Sequence, residues 1–299
     1  SFPVGKLYML ASEHSDENKV IYNGENYAVE NALNFDFSRV KLAWFAIGDK
    51  MAKHIIPRAV EAGCWVIDNS EAYRDDPDVP LIIPEINAKA IDNTSSCKIV
   101  ANPNCIVIQL LMSLQPFLKQ CEVTRVITST YQSVSGIGRV GVDDLIDQSH
   151  AVLEDTAFSG SSYGQKWAFN LCPQIGGFHP TNNYCKEEMK VVTESEKILG
   201  YNSIDFVATT VRVPVFFGHA QSVHIETKEV IDLSAIKKQY EIEPGVSLMP
   251  DMDYPTPLNQ GMTQDDVFVG RLRYDHKRLN GASFWTVFDN LRKGAALNA

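Results

Sequence analysis

The stretch Lys98-Ile99-Val100-Ala101-Asn102-Pro103-Asn104-Cys105-Ile106-Val107-Ile108-Gln109-Leu110 runs from a short strand-like segment, through a polar turn, into a helix-like one that reaches about Leu118. A strand, a tight turn and a helix in that order are the repeating unit of a parallel α/β sheet. Pro103 suits the first turn of a helix, where a missing N–H costs nothing, and Asn102 can cap it. Cys105 then meets the unpaired N–H groups and positive end of the helix, which favour thiolate over thiol. Taken alone, the residue is more readily read as a buried structural cysteine.

The same rhythm extends upstream. Lys6 to Ser12 reads as a strand, and Val40 to Ala46 as a parallel strand covered on both faces. Gly48 breaks the run. Met51 to Ala62 has apolar residues at helical spacing, with Pro57 an awkward interior residue, and Cys64 to Ile67 is the next strand. Downstream the character changes. Val123 to Tyr131, Asp205 to Phe217, Gln221 to Thr227, Val267 to Arg273 and Ser283 to Phe288 read as strands. Val142 to Leu153 and Lys186 to Leu199 read as helices, the second stopped by Gly200. Phe158 to Tyr163 and Gly176 to Asn183 are loop-like. The expected fold is α/β: a Rossmann-like, doubly wound parallel sheet followed by an α+β domain with a large mixed sheet.

Composition sets the outer bounds. The 299 residues suffice for two joined domains, and 44% apolar with 21% charged residues is the balance of a water-soluble globular chain. A net charge of −10 argues against nucleic acid or an anionic membrane as partner, and no apolar run reaches the roughly 18 residues of a span. The six cysteines show neither a C-x-x-C pair nor zinc spacing, so reduced thiols in the cytoplasm, with no metal, are the expectation.

Segments along almost the whole chain resemble the aspartate-β-semialdehyde dehydrogenase family. They are Val66-Ile67-Asp68-Asn69-Ser70 through Arg74, Asn102-Pro103-Asn104-Cys105 with Gln109, and Thr130-Tyr131-Gln132 with Ser135-Gly136. Lys186-Glu187-Glu188-Met189-Lys190, Val211-Arg212-Val213-Pro214-Val215 with Gly218-His219, and Asp289-Asn290-Leu291-Arg292-Lys293-Gly294 follow in family order. The resemblance implies NADP-dependent, reversible reduction of β-aspartyl phosphate to aspartate β-semialdehyde with release of inorganic phosphate, in a homodimer or homotetramer. It implies a dinucleotide-binding domain over 1–104, completed by a final helix within 289–299, and a catalytic and dimerisation domain over 105–288. The family's first strand and glycine-rich turn are expected to precede Ser1.

The resemblance also distributes roles. Cys105 is the nucleophile of a thiohemiacetal and thioester, and a soft thiolate suits both steps. His219 is the general acid/base, with its ring projecting into a cleft; imidazole titrates near neutral pH. Gln132 orients the reacting carbon. Arg212 takes the substrate carboxylate through its planar fork, and Glu187 takes the amino group. Lys190, Arg74 and Asn104 form the phosphate end. Ser12, Gly48, Gly136 (with Gly138) and Asn290 contact the cofactor.

Three positions on the cofactor side depart from the family pattern. His14 stands where an arginine pairs with a 2′-phosphate, Asp49 enters the turn Ile47-Gly48-Asp49-Lys50, and Ile106-Val107 replaces a Ser-Thr pair. Two alternatives therefore stand beside the leading one. One is a related Cys/His acyl-phosphate reductase, and the other an inactive paralogue with a structural or regulatory role.

Overall fold

A computed structural model describes residues 4–12, 19–94, 97–157 and 163–299. His14, residues 1–3 ahead of the first strand and most of the loop 158–163 lie outside the described residues. The chain opens with β1 (Met9–Ala11) and a hairpin of β2 (Lys19–Tyr22) and β3 (Glu25–Asn31). There follow β4 (Leu42–Phe45), α1 (Asp49–Glu61), β5 (Trp65–Asp68), α2 (Pro84–Asn87) and β6 (Ile99–Ala101). The second half contains α3 (Cys105–Gln120), β7 (Val123–Gln132), α4 (Arg139–Leu153), α5 (Lys186–Leu199), β8 (Asp205–Arg212) and β9 (His219–Thr227). It ends with α6 (Leu233–Ile242), β10 (Val246–Leu248), β11 (Val267–Tyr274), β12 (Gly281–Phe288) and a π-helical turn, Arg292–Ala296.

The N-terminal part is Rossmann-like. β4, β5 and β6 form one parallel sheet, and β1 pairs in parallel with β3 in another. Along α1, Ala52, Ile55, Ile56 and Ala59 are buried at helical spacing and share one core with Phe45 and Val66. Pro57 is on the exposed face of α1, where water can satisfy the carbonyl it leaves free. On β4 and β5, Leu42, Trp44 and Trp65 are exposed in the described residues. The hairpin β2–β3, the short α2 and β10, and α6 carry signals too brief or too polar for periodicity to pick out.

The C-terminal part is built on a six-stranded mixed sheet, ordered β10-β11-β12-β9-β7-β8. β7 is its pivot, parallel to β8 and antiparallel to β9. α3 packs against α5, α6 and strands β7, β11 and β12, and every residue from Ile106 to Phe117 is buried. The β-branched Ile106-Val107-Ile108 run is a poor helix former in water. Burial overrides propensity here, since a helix apolar all round belongs in a core. β8 stops at Arg212 rather than Phe217, because Pro214 cannot continue the ladder. No helix among the described residues is long and apolar enough to cross a membrane.

Candidate active site

Cys105 is the first residue of α3, and the cap is Asn104, not Asn102. The Asn104 Oδ1 accepts the Ile106 N–H at 2.9 Å while its Nδ2 donates to Glu187 Oε1 at 3.0 Å. Pro103 therefore precedes the helix instead of entering its first turn. Asn102 is used for bracing: its Nδ2 donates to Asn69 Oδ1 at 2.7 Å and its Oδ1 accepts from Asn298 at 2.6 Å. Both asparagines can cap, and only the tertiary neighbours decide which one does.

A cleft of about 1050 Å³ opens over the thiol. Among the residues lining it are Gln132 from the end of β7, Arg212 from the end of β8, Glu187 and Lys190 from α5, and Arg74. Asn104, Gly48, Gly136, Gly138 and Asn290 line it too, so most of the residues singled out in sequence come together. Ser12 does not: it is exposed past the end of β1 and absent from the lining. A second hollow of about 760 Å³ opens at the start of α1, beside Gly48, Asp49, Lys50, Lys53 and His54.

Charge is organised in a chain across the cleft. Lys190 bonds Glu71 at 2.6 Å and Glu187 at 3.0 Å, and Lys186 also pairs with Glu71. Burial alone would raise the Glu71 carboxyl, but Lys190 and Lys186 bring it down to about 2. Burial pulls the Lys190 ammonium down, and Glu187 with Glu71 more than reverses this. Asp49 does not face the solvent as a bare charge. Its Oδ1 accepts the Glu71 N–H at 2.9 Å and so holds the loop that carries Glu71 and Arg74. Arg74 donates to Asn69 O at 3.1 Å and lies 3.4 Å from Glu194, a carboxylate only 2% exposed. Glu194 Oε2 also accepts the Asn104 N–H at 2.7 Å.

The thiol is not a resting thiolate. Burial, then the Glu187 charge, push Cys105 up to about 12, against Arg74, Arg212 and Lys190, which act the other way. His219 departs from expectation as well. It is the first residue of β9, but its ring is fully buried and is not part of the cleft lining. It lies behind Gly136, where an added Cβ would come 3.2 Å from His219 Nε2 and 3.0 Å from Arg212 Nη1. Burial and the neighbouring guanidinium lower its pKa to about 3. Its Nδ1 accepts the Ser133 N–H at 3.1 Å, and Nε2 has no partner among the described residues. Gly218, at φ +82° and tight against Gly261, makes the turn that delivers it, a conformation other residues rarely adopt.

Sequence reading missed Glu71, Glu194, Ser133 and Gly294. Glu194 could have been found: it falls four residues after Lys190 and seven after Glu187, on the same helical face. Gly294 gave no such signal, although a Cβ there would sit 2.9 Å from Cys105 Cβ and 3.0 Å from the Phe288 ring.

A Rossmann-like sheet beside a mixed sheet, with a cysteine at a helix start between them, defines the class of the semialdehyde dehydrogenases. Two family models match: the semialdehyde dehydrogenase NAD binding domain over residues 1–94, and the semialdehyde dehydrogenase dimerisation domain over 114–293. The chain belongs to the aspartate-semialdehyde dehydrogenase family and is by that membership an oxidoreductase. It is 42% identical to aspartate-semialdehyde dehydrogenase 2 of Vibrio cholerae, covering 100% of this chain and 88% of that one. With the Aquifex aeolicus enzyme it shares 38% identity, over 100% and 89% of the two chains. The crystal structure of the Vibrio cholerae enzyme superposes with a TM-score of 0.96 over 99% of this chain and 88% of that one. A probable aspartate-semialdehyde dehydrogenase from Pseudomonas aeruginosa, 30% identical, gives 0.95 over the same shares.

Proposed function

We propose that the protein catalyses the NADP-dependent, reversible reductive dephosphorylation of β-aspartyl phosphate to aspartate β-semialdehyde. The observation that carries this is one cleft over Cys105 whose lining brings together Glu187, Arg212, Arg74 and Lys190. Glu187 and Arg212 offer complementary charges to an ammonium and a carboxylate, whereas Arg74 and Lys190 offer cations to a phosphate. A relative 42% identical to this chain has been crystallised "complexed with ASA".

In the reductive direction the Cys105 sulfur attacks the acyl carbon, the carbon–oxygen bond to phosphate breaks, and inorganic phosphate leaves with the thiol proton, so that a thioester remains on the enzyme. NADPH, when bound, would supply the hydride that, with a proton from water, takes this thioester to the thiohemiacetal level. Breaking the carbon–sulfur bond, with the hydroxyl proton passing to sulfur, then releases the aldehyde and returns the thiol. Arg74 and Lys190 stabilise the departing phosphate, and Gln132 orients the acyl oxygen. The residues fit a dinucleotide: an added Cβ at Gly48 meets nothing within 4 Å, and the hollow beside it carries Lys50 and Lys53 near the first amides of α1. Gly48 and the Gly136–Gly138 backbone are the contacts proposed for it. Residues 1–104 with 289–299 act as the cofactor unit and 105–288 as the catalytic and dimerising unit, in a cytoplasmic homodimer or homotetramer. The tie of Lys293 to Glu85 at 2.7 Å supports that grouping.

The test is formation of reduced cofactor from aspartate semialdehyde, phosphate and NADP or NAD by the full chain. Phosphate-dependent turnover that Cys105→Ser abolishes without unfolding is the expected result. Absence of turnover with either cofactor would favour the inactive paralogue.

A further inference from the structure

The segment 289–298 meets the turn that carries the nucleophile at two points. Within it, the Gly294 N–H donates to Asp289 O at 3.3 Å, the Ala296 N–H to Leu291 O at 3.1 Å and the Leu297 N–H to Arg292 O at 2.8 Å. Each bond reaches back five residues, so this is a turn one residue wider than an α-helix, a rare geometry that recurs at functional sites. The widening changes which side chains are neighbours. Residues five apart on an α-helix point about 140° away from each other. Here Lys293 Nζ donates to Asn298 Oδ1 at 3.0 Å, and both residues are buried. An ammonium can only donate, which fixes the Asn298 amide. Its Nδ2 therefore faces Ile82 O at 2.9 Å and Asn102 Oδ1 at 2.6 Å. On its other side Lys293 donates to both oxygens of Glu85, at 2.7 and 2.8 Å. Asn290, expected at the cofactor, is 3% exposed and anchors the start of the segment by accepting the Gly218 N–H at 3.0 Å and donating to Ser135 Oγ at 3.1 Å.

The second point of contact is Gly294. A Cβ added there would sit 2.9 Å from Cys105 Cβ and 3.0 Å from the Phe288 ring, whereas carbons rest in contact at roughly 3.5 Å or beyond. Cys105 Cβ is bonded to the backbone of the first residue of α3, so it cannot swing aside as the tip of a long side chain could. We propose that the widened turn is a clasp that positions the nucleophile: Asn298 grips Asn102, Gly294 backs Cys105, and Lys293 holds the clasp closed from Glu85. The two grips match in spacing. Residues four apart on the turn, 294 and 298, meet residues three apart on the link between β6 and α3, 105 and 102. The bare Gly294 Cα closes one side of Cys105 Cβ and leaves the sulfur the side that opens to the cleft. Resting on the proposed reaction, the clasp serves the attack of sulfur on the acyl carbon, not the binding of the charged ends of the substrate. Gly294, Lys293 and Asn298 act through Cys105 and are positioning residues.

Gly294→Ala in the full chain tests this through two readouts. Alkylation of Cys105 by iodoacetamide, followed by peptide mass without substrate or cofactor, is expected to slow several-fold in the folded protein, because the methyl crowds the carbon that carries the sulfur. In turnover, kcat is expected to fall roughly tenfold to a hundredfold, as for a misplaced reacting group, with KM for the semialdehyde close to that of the parent. A parent-like alkylation rate, or a KM that rises while kcat holds, overturns the proposal. So does a lowered melting temperature with both rates per folded molecule unchanged, which is what a purely structural glycine would give. Should Gly294→Ala not fold, Asn298→Leu keeps most of the side-chain volume and removes the bonds to Asn102 and Ile82. That variant is expected to lower kcat at constant KM and to move the alkylation rate several-fold; parent-like values of both would sink the clasp. Alkylation needs no turnover, so failure of the reaction assay and failure of the clasp are told apart.

Discussion

Cys105 shows how far a local rule carries before its surroundings take over. A helix start favours a thiolate, whereas burial and the Glu187 charge push the Cys105 thiol up, against the nearby Arg74, Arg212 and Lys190. With the thiol near 12, the thiolate is a minor species at neutral pH. Alkylation of Cys105 by iodoacetamide in the free protein should accelerate steadily from pH 7 to beyond the ordinary thiol value of about 8.5. A plateau below pH 9, followed by peptide mass, would show a thiol already activated. Gly136 makes a second residue-level prediction. Gly136→Ala drives a methyl against Arg212 Nη1, itself pinned to Ser133 O at 2.8 Å, and against His219. A misplacement at this site should lower kcat/KM by roughly tenfold to a hundredfold, with an unchanged melting curve separating this from unfolding.

At the scale of elements, α5 is the helix that turns one face into a site. Glu187, Lys190 and Glu194 follow one another at helical spacing, and Glu71 reaches them from the loop after β5. Glu71 is depressed in the folded state, so its contribution is fully present above the unfolded carboxyl value near 4.3 and fades as pH falls toward 2. Thermal melts of Glu71→Gln and parent protein should differ at pH 6 and converge toward pH 2. A constant difference would mean that the Lys186–Glu71–Lys190 cluster contributes no charge-dependent stability. Glu194→Gln keeps an acceptor for the Asn104 N–H and removes the carboxylate facing Arg74. On the proposed reaction it should raise KM for phosphate several-fold and leave KM for the semialdehyde nearly unchanged; equal shifts in both would count against an Arg74 phosphate end.

At the scale of the molecule, the C-terminal residues sew the two halves together. Lys293 reaches Glu85 and Asn298, and Asn298 reaches Ile82 O and Asn102, three residues before the nucleophile. Lys293→Met should cost roughly 1.5–3 kcal/mol, the range for a hydrogen bond to a charged group, read by urea unfolding. A loss under 0.5 kcal/mol, the ordinary surface range, would make this tie incidental. Much of this architecture was legible beforehand. α5 was read from Lys186 to Leu199 and stopped by Gly200, as found, because its apolar period and its αL glycine agree. The strands of the large sheet other than β10 were readable because β-branched runs bounded by turn residues carry their own signal. The hairpin β2–β3 was not, since its exposed polar residues bury too little to leave a pattern. The family resemblance also pointed to a cysteine, a glutamine, two arginines and a Glu-Lys pair as site candidates, and these converge on one cleft. What local sequence determined was the order of elements and the chemical repertoire, because propensity, turn chemistry and helical spacing act over a few residues. Tertiary structure alone decided which asparagine caps α3, that His219 is sealed behind Gly136, and that Asn290 is bonded inward to Ser135 and Gly218. Those outcomes rest on burial and on hydrogen bonds between residues as far as 157 positions apart, which no local pattern records.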